Sequence, residues 1–122
     1  MAMVEYAWTS FFGNAKFFEC APQGTAREKR IHPTQKPVSL YIWQLEMFAK
    51  KGMKILDTHG GSMSSAIAAH ELGLDMDICE KEETYYMQGK ERVEKAMRQG
   101  LLFTGSDETG SETPDMFGGE KC

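Results

Sequence analysis

The sequence is poor in the features that mark secreted, membrane or metal-dependent proteins. Its three cysteines, Cys20, Cys79 and Cys122, are an odd number, widely separated and without a CxxC pair. This argues against a disulfide framework or a metal knot and for reduced, buried or inert thiols, so no metal ligands are expected. No apolar run approaches the roughly 20 residues of a membrane span, and no signal peptide is visible. A membrane partner is therefore not expected, and the cytoplasm is the expected compartment. The four prolines, Pro22, Pro33, Pro37 and Pro114, are never adjacent. Internal repeats are absent.

An overall basic surplus is also missing: the net charge is -4 over 122 residues. That value comes from one end. From Thr104 onward five acids (Asp107, Glu108, Glu112, Asp115, Glu120) face one base, Lys121, while residues 1–103 balance to zero. The 104–122 stretch is rich in Gly, Ser and Thr and poor in large apolar groups, and reads as a disordered acidic tail. Residues 1–103 form the one expected domain, large enough for a single small core.

What the chain does contain is a run of α/β signals. Val4 to Phe12 is aromatic and β-branched, Gly13-Asn14 marks a turn, and Ala15 to Cys20 is a second apolar run, together predicting a β-hairpin with at least one face covered. Ala21 to Pro33 reads as a loop. The only local basic excess lies between Lys16 and Lys36, and it makes Arg27, Lys29 and Arg30 candidates for contact with nucleic-acid phosphate. From Thr34 the apolar positions Val38, Tyr41, Ile42, Leu45, Phe48 and Ala49 recur with a helical period. Thr34 is the expected N-cap, with Pro37 in the first turn and Lys50-Lys51-Gly52 as the stop. A strand over Met53 to Asp57, a helix over Ser62 to Leu72, a strand over Leu74 to Glu80 and a helix over Glu83 to Gln99, stopped by Gly100, follow. This order predicts an α/β layer fold with a parallel β-α-β unit.

Two acids stand out. Asp57 ends the first parallel strand and precedes the turn Thr58-His59-Gly60-Gly61-Ser62, whose glycines let a ligand approach the backbone. Glu80 ends the second, where it is placed to accept from two ribose hydroxyls. A helix start beside a strand end is where open α/β sheets bind nucleoside ligands. The turn matches neither G-x-G-x-x-G, which disfavours a dinucleotide cofactor, nor a P-loop. His59 is expected to pack or cap, and His70 to be structural or exposed.

Arg30-Ile31-His32-Pro33-Thr34-Gln35-Lys36-Pro37-Val38 resembles the H-P-T-Q-K-P motif of amino-group DNA methyltransferases of the β-class arrangement. The following strand with Asp57, Gly61 and Ser62 resembles that family's D-x-x-x-G-S-G, and Ile78 to Glu80 its next acid-tipped strand. Glu5 to Phe11 resembles the preceding strand of phage-type members. The likeness covers residues 4–103 in the family's order. It implies S-adenosylmethionine as cofactor and an exocyclic amino group of adenine or cytosine in DNA as substrate, in a phage or restriction-modification setting. By the resemblance, Asp57, Gly60, Gly61 and Ser62 line the cofactor cleft, Glu80 takes the ribose, and Thr34, Gln35 and Lys36 meet the methionine end.

Two departures from the family pattern matter. The catalytic [DNS]-P-P-[YFW] motif is absent, so the chain looks like the C-terminal, cofactor-binding half of a methyltransferase and is expected to be inactive alone. No catalytic residue is assigned. The fold expected is an incomplete Rossmann-like methyltransferase sheet, whose open apolar edge at Met53 to Asp57 is expected to pair with the hairpin, with another copy in a homo-oligomer, or with a complementing catalytic chain. The second departure is Met63 in place of the last glycine of G-S-G. A side chain there is expected to crowd the cofactor and to disfavour positive φ. The competing readings are a non-catalytic module that binds cofactor or DNA, and a remnant that folds and oligomerises.

Overall fold

The computed structural model describes residues 4–20 and 30–104, the last four as helix backbone only. Three helices and two strands follow one another as α1 (Val38–Phe48), β1 (Lys54–Asp57), α2 (Ser64–Glu71), β2 (Asp75–Ile78) and α3 (Glu83–Thr104). The strands pair in parallel, with Lys54 opposite Asp75, Ile55 opposite Met76, Leu56 opposite Asp77 and Asp57 opposite Ile78. The chain is thus an α/β fold built on a parallel β-α-β unit, as the alternating pattern predicted.

The core lies on α2. Met63, Ile67, Ala68 and Ala69 are its buried apolar residues, together with the small polar Ser62, Ser64 and Ser65. Small side chains explain why this short helix occupies the centre: α1, β2 and α3 all pack against it, and alanine and serine let neighbours come close without leaving voids. Both strands alternate exposed and half-buried positions. Ile55, Asp57, Met76 and Ile78 occupy the half-buried positions, and Lys54, Leu56, Asp75 and Asp77 the exposed ones. Parallel sheets usually have both faces covered; Leu56 here is 66% exposed. Lys54 and Asp77 form an exposed ion pair across the strands at 3.1 Å, a contact of small energetic weight.

Several expected features differ. The hairpin is absent: residues 4–20 contain no strand, and among the described residues the sheet has two strands. A hairpin needs a covered face to be stable in water, and this segment has none, with Tyr6, Trp8, Phe12 and Phe17 all well exposed. It instead leans on α1 through Phe11, stacked on Phe48 at 4.8 Å, and Phe18, tilted against Trp43 at 5.2 Å. The edge of β1 is accordingly not closed by the hairpin.

Helix α1 begins at Val38 with Pro37 extended at its N-cap and no side-chain cap, not at Thr34. Proline disfavours a helical residue before it, so His32 to Gln35 form a separate turn, closed by Gln35 N–H donating to His32 O at 3.2 Å. Gly100 does not stop α3, which runs on to Thr104; glycine weakens a helix by only about 1 kcal/mol relative to alanine and need not end one. Cys79 is free and exposed rather than buried, and Cys20 is disulfide-bonded rather than a reduced thiol. The packing expected of Leu101 to Phe103 and the tail over 105–122 fall outside the residues, or side chains, described.

Candidate functional site

The parallel pairing continues past the ends of both strands. Cys79 N–H donates to Asp57 O at 2.9 Å, and Gly60 N–H to Cys79 O at 2.7 Å. These bonds bring the carboxyl ends of β1 and β2 side by side, so Asp57 and Glu80, 23 residues apart in the chain, flank one crevice. Gly60 is tight there: a Cβ would lie 3.0 Å from Ile78 Cγ1 and 3.2 Å from Cys79 O. Gly61 turns the chain with φ +55°, a conformation that favours glycine. Met63 N–H then bonds Gly60 O at 2.7 Å and closes the turn into α2.

Each acid is held by its neighbours. Asp57 accepts from His59 N–H at 3.0 Å through one oxygen and from Ser65 Oγ at 2.5 Å through the other. Glu80 accepts from Gly61 N–H at 2.7 Å and from Glu82 N–H at 2.9 Å. Those two amides, Glu82 first and then Gly61, hold the Glu80 carboxyl below its ordinary value, and the nearby His32 adds to the effect. A carboxylate with one bond at each oxygen keeps lone pairs for further donors. Tyr41 on α1 reaches the same region: burial first, and the Asp57 charge second, push its hydroxyl pKa up.

The start of α2 is fixed from below by α3. Arg92 donates to Ser62 O at 3.0 Å and to Ser64 Oγ at 2.7 Å, and the hydroxyls of Ser62 and Ser64 lie 3.2 Å apart. Among the described residues, no buried side-chain nitrogen or oxygen lacks a partner. Met63 takes the positive φ that a side chain disfavours. It adopts φ 60°, ψ 29° as the N-cap of α2 and is only 3% exposed. Its side chain packs against Gly89 of α3, where a Cβ would meet Met63 Cγ at 2.8 Å. The buried side chain fills the space below α2, and that packing holds the residue in a conformation otherwise unfavourable to it by about 1–2 kcal/mol. Positive φ is therefore adopted, and the side chain is taken up by α3.

The H-P-T-Q-K-P stretch also reaches the crevice. The His32 ring lies against Gly61 and 4.4 Å from the Tyr85 ring. Thr34 donates its N–H to His32 Nδ1 at 3.2 Å, Gln35 accepts from Ile31 N–H at 2.9 Å, and Lys36 pairs with Glu5. Of the predicted residues, Asp57, Gly60, Gly61, Ser62 and Glu80 come together directly. Thr34 and Gln35 bond His32, which lies against Gly61, whereas Lys36 pairs with Glu5; Arg30 is exposed on the same segment. Arg27 and Lys29 lie outside the described residues. Sequence reasoning passed over His32, Ser65, Tyr85 and Arg92. Only His32 carried a sequence signal, as the first letter of the motif; the others are recognisable only from their partners. His59 is exposed and bonds Thr58 Oγ1 at 2.8 Å, and His70 is exposed on α2. Among the described residues no cluster of His, Cys, Asp or Glu is arranged to hold a metal ion, and no helix is long and apolar enough to cross a membrane.

Comparison with known proteins points in one direction. The chain is 36% identical over 74 residues to an Escherichia coli (strain K12) protein named "Putative methylase YubD", an overlap of 58% of this chain and 33% of that protein. The chain thus spans about a third of the length of this relative. No solved structure matches it. A family model described as DNA methylase matches residues 10–91, which include the turn, both acids and the H-P-T-Q-K-P motif, and on that match this chain belongs to the amino-group DNA methylase family.

Proposed function

We propose that the chain supplies the cofactor-binding part of an S-adenosylmethionine-dependent methyltransferase acting on an exocyclic amino group of adenine or cytosine in DNA. The observation that supports this most is the crevice itself. Two carboxylates stand at adjacent parallel strand ends, on either side of a glycine turn, beside the start of a helix. In this reading Glu80 accepts the ribose hydroxyls with its remaining lone pairs. Asp57, Gly60, Gly61 and the Ser62 backbone line the cleft, and the 34–36 segment approaches the methionine end. Residues 1–103 form the methyltransferase part and 104–122 an acidic tail. Arg27, Lys29 and Arg30 contact DNA phosphates.

The reaction needs a group that accepts hydrogen bonds from the target amine and an aromatic that stacks on the flipped base. With no [DNS]-P-P-[YFW] motif in the sequence, the chain alone binds cofactor without transferring methyl, and activity requires a complementing catalytic chain. The exposed face of β1 and the uncovered aromatics of residues 4–20 favour such a partner, or a second copy, over a solitary protein. The cytoplasm, where DNA is met, is the proposed compartment.

Titration calorimetry with S-adenosylmethionine tests the first half of the proposal, and labelled methyl transfer to DNA the second. Cofactor uptake that is lost in Asp57→Ala and Glu80→Ala, with no transfer by the chain alone, is the expected result. An unliganded wild type defeats the cofactor reading in favour of an oligomerising remnant, and methyl transfer without a partner defeats the division of labour.

A further inference from the structure

We propose that His32 is a positioning residue for the glycine turn: its ring, packed on Gly61 and braced by Tyr85, holds the turn so that the Gly61 amide is presented to Glu80. The consequence for ligand binding rests on the cofactor reading above; the positioning itself does not. Three atoms of the ring, Cγ, Cδ2 and Cε1, are each 3.7 Å from the place a Gly61 Cβ would take. Equal distances to three ring atoms put the imidazole face over the place a Gly61 Cβ would take, with room for one methyl between. Behind it, the Tyr85 ring of α3 lies at 4.4 Å and 59°, a tilted arrangement of the kind aromatic pairs prefer. The ring is aimed by its own turn, since the Thr34 backbone N–H donates to Nδ1 at 3.2 Å. That bond makes Nδ1 an acceptor.

The chain's own geometry makes such a brace useful. Gly61 sits at φ +55° and its N–H bonds Glu80 at 2.7 Å. Glycine reaches many other conformations at little cost, and most of them swing this amide away. A flat ring about one methyl's breadth from the side that has no Cβ leaves that side little room to swing. His32 thereby links the 32–35 turn, α3 and the crevice between β1 and β2.

Amide hydrogen exchange on the full unliganded chain tests this, with Gly61 as the reporter and Ala69 and Leu72 of the α2 end as internal controls. His32→Ala is expected to speed Gly61 exchange several-fold to about tenfold, what one aromatic contact supplies, while the controls keep their rates. His32→Phe keeps the ring and loses the Thr34 bond, and is expected to restore most of the protection; His32→Asn is not. S-adenosylmethionine affinity should follow the same order in calorimetry. Unchanged Gly61 exchange in His32→Ala, or a His32→Phe variant as exposed as His32→Asn, overturns the proposal. If His32→Ala unfolds and the controls exchange as well, the Phe and Asn variants decide by the same ordering. Gly61 exchange that responds to His32 in a protein that takes up no cofactor upholds the positioning role and removes the cofactor reading alone.

Discussion

The neighbourhood of α2 and the stretch from residue 4 to residue 20 are made from similar amounts of apolar material and end up opposite in character. Around α2, Met63, Ile67, Ala68 and Ala69 are buried and every buried polar side chain among the described residues is partnered. In the 4–20 segment, Phe12 and Tyr6 stand almost fully in water, and only Phe11 and Phe18 engage α1 by stacking. The difference shows that burial follows from having covered neighbours, not from hydrophobicity. Small residues on α2 admit three elements at once, whereas the ring contacts described for the N-terminal segment are with α1. The first region is buried and fully partnered among the described residues, and the second leaves its large rings exposed.

The sharpest way to break that comparison is to remove a side chain from each side. Ile67→Ala is expected to cost about 2–5 kcal/mol in urea unfolding, the range for deleting a buried branched side chain. Phe12→Ser, at the far end of the scale, should lie within about 0.5 kcal/mol of wild type, as exposed substitutions do. Equal losses at the two positions would mean that the N-terminal aromatics are part of the same core.

A smaller effect is expected at the joint between α2 and α3. Gly89→Ala places a methyl against Met63 Cγ and should destabilise by about 1–3 kcal/mol through overpacking. Met63→Ala costs stability by its own cavity, but the two changes together should cost less than their sum. The coupling measured in that double-mutant cycle sets how strongly α3 holds the turn. Additive losses would indicate that Met63 and Gly89 do not bear on one another.

Acid should act on the crevice and spare the aromatic stretch. The Glu80 carboxyl is lowered in the fold from its ordinary 4.5. Its bonds to Gly61 and Glu82 therefore contribute stability above that value and lose it as pH falls through the folded pKa. Glu80→Gln should flatten the dependence of stability on pH below 4.5 and change little near neutrality beyond a constant offset. An unchanged acid limb would show that the two amide bonds are not maintained in solution. The smallest effect concerns Lys54 and Asp77, an exposed pair at 3.1 Å. Lys54→Ala should change stability by less than about 1 kcal/mol, and by less still in high salt.

The parts of the fold that were readable in the sequence are those encoded by near neighbours. A period of three to four residues from Val38 to Ala49, a short apolar run into Asp57 and another into Ile78 each carry their own signal. So does the H-P-T-Q-K-P motif. The misreadings share a cause. The hairpin over residues 4–20 has strand-like composition, but pairing needs a covered face, which composition does not supply. Thr34 looks like an N-cap until Pro37 restricts the residue before it. Met63 takes positive φ with its side chain against Gly89 in the next helix, a contact that nothing local announces.

The sequence by itself determined the order of elements, the two acids at strand ends, the glycine turn between them and the family to which the chain belongs, because each rests on residues within a few positions of one another. Only the tertiary structure decided which groups meet. Gly61 finds Glu80 19 residues on, and Ser62 finds Arg92 30 residues on. His32 reaches the turn from the far side of α1 and β1. Those contacts are set by how helices stack on a two-stranded sheet, a property of packing at close range in space and at long range in the chain.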